Sequence, residues 1–286
     1  MRATGVPAIS FSPLIAWWLV SARRQHCGPL ATATTTGTTT VRSRPLGFED
    51  GTSRCWDKFY KRHSNNFFKD RHYLTKDWGQ YFRDDGTEST NRKVVLEVGC
   101  GAGNSIFPLL ATYPKLFVHA CDFAAHAISL VQSHVDFNED QVNAFVCDVA
   151  NGDLCDKIMP SSVDVVTLIF MLSAVCPAKM PLILQNIRKV LKPNGCILLR
   201  DYAVGDYAQV ELHKRNRMII ENFYIRGDGT CAFYFSEESL STLFANSGFS
   251  IIDMDIYSRQ IRNHSRNVNM SRRWIRATFC RCGIPQ

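Results

Sequence analysis

Eleven residues constrain this chain more than any others: Val94-Val95-Leu96-Glu97-Val98-Gly99-Cys100-Gly101-Ala102-Gly103-Asn104. An apolar run of this kind reads as a buried strand, and three alternating glycines directly after it let the backbone turn sharply and a ligand approach closely. A dinucleotide-binding turn places its third glycine three residues after the second, whereas here it follows after two. Glu97 lies inside the strand end, and no basic residue in the loop is available to pair with phosphate. Together with the Gly99, Gly101, Gly103 spacing, this suits a cofactor with a zwitterionic amino-acid end, and S-adenosylmethionine is that cofactor.

Two further acids agree. A nucleoside offers ribose hydroxyls and an adenine amino group, all of which a carboxylate can accept from. Asp122 ends the apolar run 116–121 and Asp148 follows the run 144–147, so both stand at carboxyl ends of successive strands. Ligands of open α/β sheets bind at that edge. Either aspartate alone would read as a helix cap; the order and spacing of all three features point to a methyl-donor site.

From Val94 onward, strand and helix patterns alternate. Strands are expected over 94–98, 116–122, 142–147, 163–172, 196–200, 249–256 and 274–280, and helices over 105–111, 124–134, 180–190 and 237–246. The fold class is therefore α/β, a mostly parallel, doubly wound sheet of seven strands with helices on both faces. Val163 to Leu172 is too uniformly apolar for a one-sided strand and reads as the central one, its end approaching the cofactor. Between residues 206 and 235 an insertion is expected: a polar helix to about Ile220, then a hairpin turning at Gly227-Asp228-Gly229-Thr230.

The 286 residues accommodate one domain of 93–286, a helical preface of 49–92 and a leader of 1–48. The leader holds five arginines, no lysine, no acid and a threonine-rich run, which cannot pack as a core. Arginine-rich, hydroxyl-rich and acid-free composition describes an organelle import segment, with the mitochondrion as destination, the plastid as the alternative, and the cytoplasm if the segment carries no address. A secretory signal would also fit its length. Against secretion stand eleven cysteines, an odd number, several of them in expected core. No metal-ligand spacing and no membrane span is read.

The net charge of +7 loses five charges to the leader and so decides nothing in bulk. Its distribution says more. Residues 54–83 hold eight basic and three acidic side chains, and residues 256–286 hold seven arginines and no acid, two local basic surfaces of the kind that phosphate requires.

Five segments then carry a family resemblance: Trp56-Asp57-Lys58-Phe59-Tyr60-Lys61-Arg62, Asn66-Phe67-Phe68-Lys69-Asp70-Arg71-His72, 168–175 (LIFMLSAV), Arg200-Asp201-Tyr202 and Asp228-Gly229-Thr230. From Trp56 to about Phe279 the chain resembles the methyltransferase-like enzymes that form 3-methylcytidine in tRNA. The resemblance implies a cofactor site in which Trp56 and Tyr60 close over the donor while Gly99, Gly101, Asp122, Asp148 and Ile169 come from the sheet. It also implies a substrate pocket bordered by Phe67, Phe68, Lys69, Arg71, Arg200 and Tyr202, with an anticodon-loop cytidine as target. Tyr73 and Cys231 depart from common family residues, tryptophan and a basic residue respectively.

The implied reaction is an in-line displacement by a ring nitrogen that already carries a lone pair, so positioning is the main task. Methylation leaves the ring cationic, and Asp201 is the candidate carboxylate to favour that charge. Expected partners are tRNA and, as an open alternative, an aminoacyl-tRNA synthetase; the chain is expected to act as a monomer. A methyltransferase for a small molecule or protein, and a donor-binding or RNA-binding subunit without turnover, are the alternatives.

Overall fold

The computed structural model describes residues 48–63, 68–83, 92–263 and 267–281, so the leader up to residue 47 and Phe67 lie outside the described residues. The chain enters through helices α1 (Phe48–His63) and α2 (Tyr73–Phe82). It then alternates through β1 (Val94–Val98), α3 (Ile106–Thr112), β2 (Phe117–Asp122), α4 (Ala125–Gln132) and β3 (Val142–Val146). Next come β4 (Val163–Ile169), α5 (Met180–Val190), β5 (Leu191–Tyr202) and α6 (Tyr207–Lys214). Three short strands, β6 (Met218–Ile220), β7 (Phe223–Ile225) and β8 (Cys231–Phe233), precede α7 (Glu237–Asn246), β9 (Phe249–Asn263) and β10 (Val268–Arg281).

Seven strands pair in the order β3-β2-β1-β4-β5-β10-β9. β1 to β5 are parallel, as the intervening helices require, and β10 is antiparallel to both neighbours. The chain winds outward from β1 to β3, then restarts at β4 on the other side of β1. That reversal opens a crevice at the carboxyl ends of β1 and β4.

Both faces are covered, which explains the near-continuous apolar character of these strands. Leu96, Val98, Val166 and Leu168 pack with Ile183, Leu184 and Ile187 of α5 and with Phe244 of α7. On the other face Val95, Val118 and Val165 meet Trp78 and Phe82 of α2, Ile106 of α3 and Ile128 of α4. Burying each such side chain stabilises by about 1.5–3 kcal/mol. The Trp78 indole also donates to the Thr278 hydroxyl at 3.1 Å, which fastens α2 to β10.

Three expectations need correction. The polar helix of the insertion stops at Lys214, six residues before Ile220, because Asn216 turns through the left-handed region (φ 53°) and Met218–Ile220 then pairs with β7. The insertion is thus a three-stranded sheet and not a lone hairpin. β5 begins at Leu191, before the expected strand of 196–200, because residues 192–195 lie as a bulge inside it, between the pairs Val163–Leu191 and Val165–Cys196. β9 and β10 run well beyond 249–256 and 274–280, pairing continuously from Phe249–Arg281 out to Asn263–Val268 apart from one register shift.

Candidate cofactor and substrate site

Gly99, Gly101 and Gly103 all take positive φ (70°, 56° and 86°), which side chains tolerate poorly. All three also admit close neighbours, Gly103 the Phe107 ring, 2.4 Å from where its Cβ would stand. A Cβ on Gly99 would stand 2.4 Å from Met171 Cγ, and one on Gly101 would stand 2.6 Å from the Tyr60 hydroxyl. The loop is therefore shaped around the segment that follows β4 and around the helical preface.

Asp122 fixes that loop from the next strand. Its Oδ2 accepts from the Gly101 amide at 3.0 Å and its Oδ1 from the Ala124 amide at 2.9 Å. The carboxylate is buried, and desolvation raises its pKa to about 6 although the Ala124, Gly101 and Phe123 amides pull it down. A carboxylate offers about four acceptor positions, so these amides leave room for a hydroxyl donor. Asp148 is exposed and lies along the same cavity, its oxygens accepting from the Ala150 amide and the Asn151 side chain.

The preface is docked by a cap supplied from a distance. Residue 124, at the start of α4, is an alanine and has no side chain to serve the first turn. Asp57 of α1 accepts from the His126 amide at 3.0 Å and so holds α1 over α4. Its carboxyl stays below the ordinary range through Lys61 and that amide. Trp56 and Tyr60, one turn apart on α1, stack at 6.0 Å and line the cavity with Gly99, Asp122 and Asp148. The Trp56 indole N–H is buried and has no hydrogen-bond partner among the described residues.

Glu97 lies beneath. It is 3% exposed, its Oε1 has no hydrogen-bond partner among the described residues, and burial raises its pKa to about 7 despite Arg71 and Ser105. Arg71 Nη1 stands 4.0 Å away and donates to the Ser105 hydroxyl (3.2 Å) and the Ile169 carbonyl (3.1 Å). Arg71 is thus turned inward onto the strand ends. Ile169 is itself buried, and the wall of the cavity is formed by the next two residues, Phe170 and Met171.

Phe170 lies within the 168–175 motif at the end of the central strand, but that motif assigns the cofactor contact to Ile169 and gives Phe170 no role. It holds φ at 56°, a strained value for a bulky residue, with its amide bonded to the Arg200 carbonyl at 2.8 Å. The Tyr202 ring lies 5.0 Å from it. Asp201 is fully buried and does not line the cavity. It accepts from the Ser173 amide and the Tyr202 amide, both at 2.9 Å, and burial raises its pKa to about 6. It thereby braces the turn after β4.

The remaining substrate candidates separate. Arg200 sits 3.8 Å over the Tyr73 ring, faces Tyr257, and pairs with Asp77 at 3.1 Å. Asp77 also holds Arg276 at 3.6 Å, and buried Asp206 holds Arg272 at 2.8 Å. Arg272 and Arg276 belong to the stretch expected to meet phosphate and Arg200 to the expected substrate pocket, yet each has an acid partner distant in sequence. Phe68 is half-buried against Phe59 (5.8 Å), whereas Lys58, Arg62, Lys69, Arg259 and Arg262 are exposed. Arg266 lies outside the described residues.

A glycine loop, acids at the ends of β1 and β2, and an aromatic lid at the crevice of a doubly wound sheet define a class I methyltransferase fold whose cofactor is S-adenosylmethionine. The unpartnered Trp56 and Glu97 atoms and the carboxylate of Asp122 fit its polar groups. Residues 96–197 match the family model described as a methyltransferase domain. A solved SAM-dependent methyltransferase from Anabaena variabilis superposes with a TM-score of 0.58 at 13% identity, over 80% of this chain and 94% of that one, a likeness of fold. Two relatives go further. The tRNA N(3)-cytidine methyltransferase METTL6 of Rattus norvegicus is 40% identical over 231 residues, 81% of this chain and 80% of its own. The tRNA N(3)-methylcytidine methyltransferase trm141 of Schizosaccharomyces pombe is 36% identical over 234 residues, 81% of this chain and 93% of its own. The chain belongs to the tRNA N(3)-cytidine methyltransferase family.

Proposed function

We propose that this protein methylates N3 of a cytidine in the anticodon loop of tRNA. The observation that carries the reading is the cavity where Trp56 and Tyr60 of the preface meet Gly99 and Asp122 at the switch point of a chain with these relatives. When bound there, S-adenosylmethionine supplies an electrophilic methyl group. Asp122 and Asp148 would hold its nucleoside, Glu97 its ammonium, and Trp56 and Tyr60 would exclude water. An anticodon-loop base is unpaired, so turning it out costs little, and Phe68, Phe170 and Tyr202 offer aromatic faces to receive it. Incubating purified protein with donor and tRNA, followed by nucleoside mass spectrometry, tests the proposal. The expected product is 3-methylcytidine; its absence with donor bound overturns the substrate, and donor binding without any methylated product overturns the enzyme.

Asp201 is assigned a positioning role through the turn at Leu172–Ala174. Asp201→Asn keeps its size but turns a donor toward the Ser173 or Tyr202 amide, which shifts that turn. Turnover is expected to fall about 10- to 100-fold, since small displacements of reacting groups are costly, with donor affinity nearly unchanged. Equal loss of both would place Asp201 in donor binding instead.

The exposed cations Lys58, Arg62, Lys69, Arg259 and Arg262 are assigned to tRNA phosphate. With about three to five contacts engaged, the logarithm of affinity should fall with that of salt at a slope of roughly −3 to −4. A filter-binding series from low to moderate salt checks this, and a flat line returns these residues to a solvated surface. The leader is proposed as a mitochondrial import segment on its composition, tested by a fluorescent reporter fused to residues 1–48. An aminoacyl-tRNA synthetase as partner and a monomeric state remain proposals that sedimentation with and without tRNA addresses.

A further inference from the structure

At the edge of the sheet opposite the cofactor crevice, the last turn of α5, the end of α7 and the end of β10 border an open cavity of about 550 Å³. Arg188, Lys189 and Arg281 line it together with Gln185, Asn246 and Ser247, and no aspartate or glutamate does. Lys189 is paired with Asp153 at 2.7 Å. Arg281 donates from Nη1 to the Leu191 carbonyl and, at 3.3 Å, to the Ser161 hydroxyl.

Arg188 is different. Its guanidinium lies against Gly248, where an added Cβ would stand 3.0 Å from Nε, and Nε is buried with no hydrogen-bond partner among the described residues. A cation at a helix C-terminus is ordinarily explained by the carbonyls it serves. Arg188 makes no such bond among the described residues, so capping does not account for it. Burial and the neighbouring Arg188 also push the Arg281 pKa below its ordinary value, the mark of two like charges held close without an acid between them.

We propose that this cavity is an oxyanion site that takes a phosphate group on Arg188 and Arg281. Two guanidinium forks match phosphate geometry, and the buried Arg188 donor gains an acceptor there. The Gln185 and Asn246 amides and the Ser247 hydroxyl supply neutral donors beside them. The phosphate comes either free or as a phosphodiester of RNA. The site is independent of the methyl-transfer reading, and its test does not use methylation.

The probe is inorganic phosphate on the full chain, followed by thermal unfolding against sodium chloride of equal ionic strength. With a dissociation constant of about 1 mM, 10 mM phosphate should raise the midpoint by about 3 °C. Phosphate also stabilises proteins generally by exclusion from their surfaces, so the decisive quantity is the difference between wild type and Arg188→Gln. Loss of the rise in that variant, with partial retention in Arg188→Lys, supports the site. An equal rise in all three, or none in wild type, overturns it. Where the rise is lost, a matching fall in tRNA affinity identifies the phosphate as RNA backbone, and unchanged tRNA affinity identifies it as free.

Discussion

Asp122→Ala should unfold roughly 10 °C below wild type and lose donor binding by at least about 100-fold. The carboxylate is the acceptor for the Gly101 and Ala124 amides, at 3.0 and 2.9 Å, in a site only 4% exposed. Removing it leaves two donors without an acceptor where water enters poorly, and each such loss costs about 1–3 kcal/mol. The glycine loop then loses its fixed spacing from the Tyr60 hydroxyl, and the room that remains for a ribose hydroxyl disappears with it. Asp122→Asn separates the two effects. One oxygen survives as an acceptor while the amide NH₂ faces the other backbone N–H, so stability should be intermediate and donor affinity nearly as poor as in the alanine variant. Calorimetric unfolding and donor titration on the three proteins measure both; wild-type donor affinity in Asp122→Ala would remove this carboxylate from the site.

Such an outcome could be anticipated from sequence because buried parallel strands have a plain signature. Both faces of β1, β2 and β4 are covered, so their residues form apolar runs, and the acids that interrupt them stand out at the carboxyl edge. Glycine at 99, 101 and 103 is equally legible, since few other residues tolerate those φ values. The outer halves of β9 and β10 carry no such mark. They leave the sheet as a ribbon with no continuous core on either face, so arginine and asparagine replace the alternation that would have revealed them. The same limit hides acid partners. Asp77 meets Arg200 across 123 residues and Asp206 meets Arg272 across 66, and nothing in either local stretch records the pairing. Phe170 is the clearest case: its strain follows from where β4 must end against Arg200, a tertiary demand that overrides local preference.

As the proposed partner of the donor ammonium, Glu97 should couple donor binding to pH in a direction opposite to stability. Its pKa rises from 4.5 in the unfolded chain to about 7 in the fold, chiefly through burial. The folded state therefore holds a proton that the unfolded state has released between those values, and stability falls as pH rises across that interval. The loss is on the order of 3 kcal/mol, complete once pH passes the folded value. Asp122 and Asp201, raised from 3.8 to about 6, act the same way but finish earlier, so the fall between pH 6 and 7.5 belongs mainly to Glu97. Glu97→Gln should flatten the unfolding midpoint over that range and be more stable than wild type at pH 8. Donor affinity should move the other way. Only the ionised carboxylate attracts an ammonium group, so wild-type affinity is expected to rise about tenfold from pH 6 to pH 8, whereas the glutamine variant binds weakly at both. Titrations at the two pH values decide it: parallel slopes for both proteins would free Glu97 from the donor and leave it as a buried acid serving Arg71 and Ser105 alone.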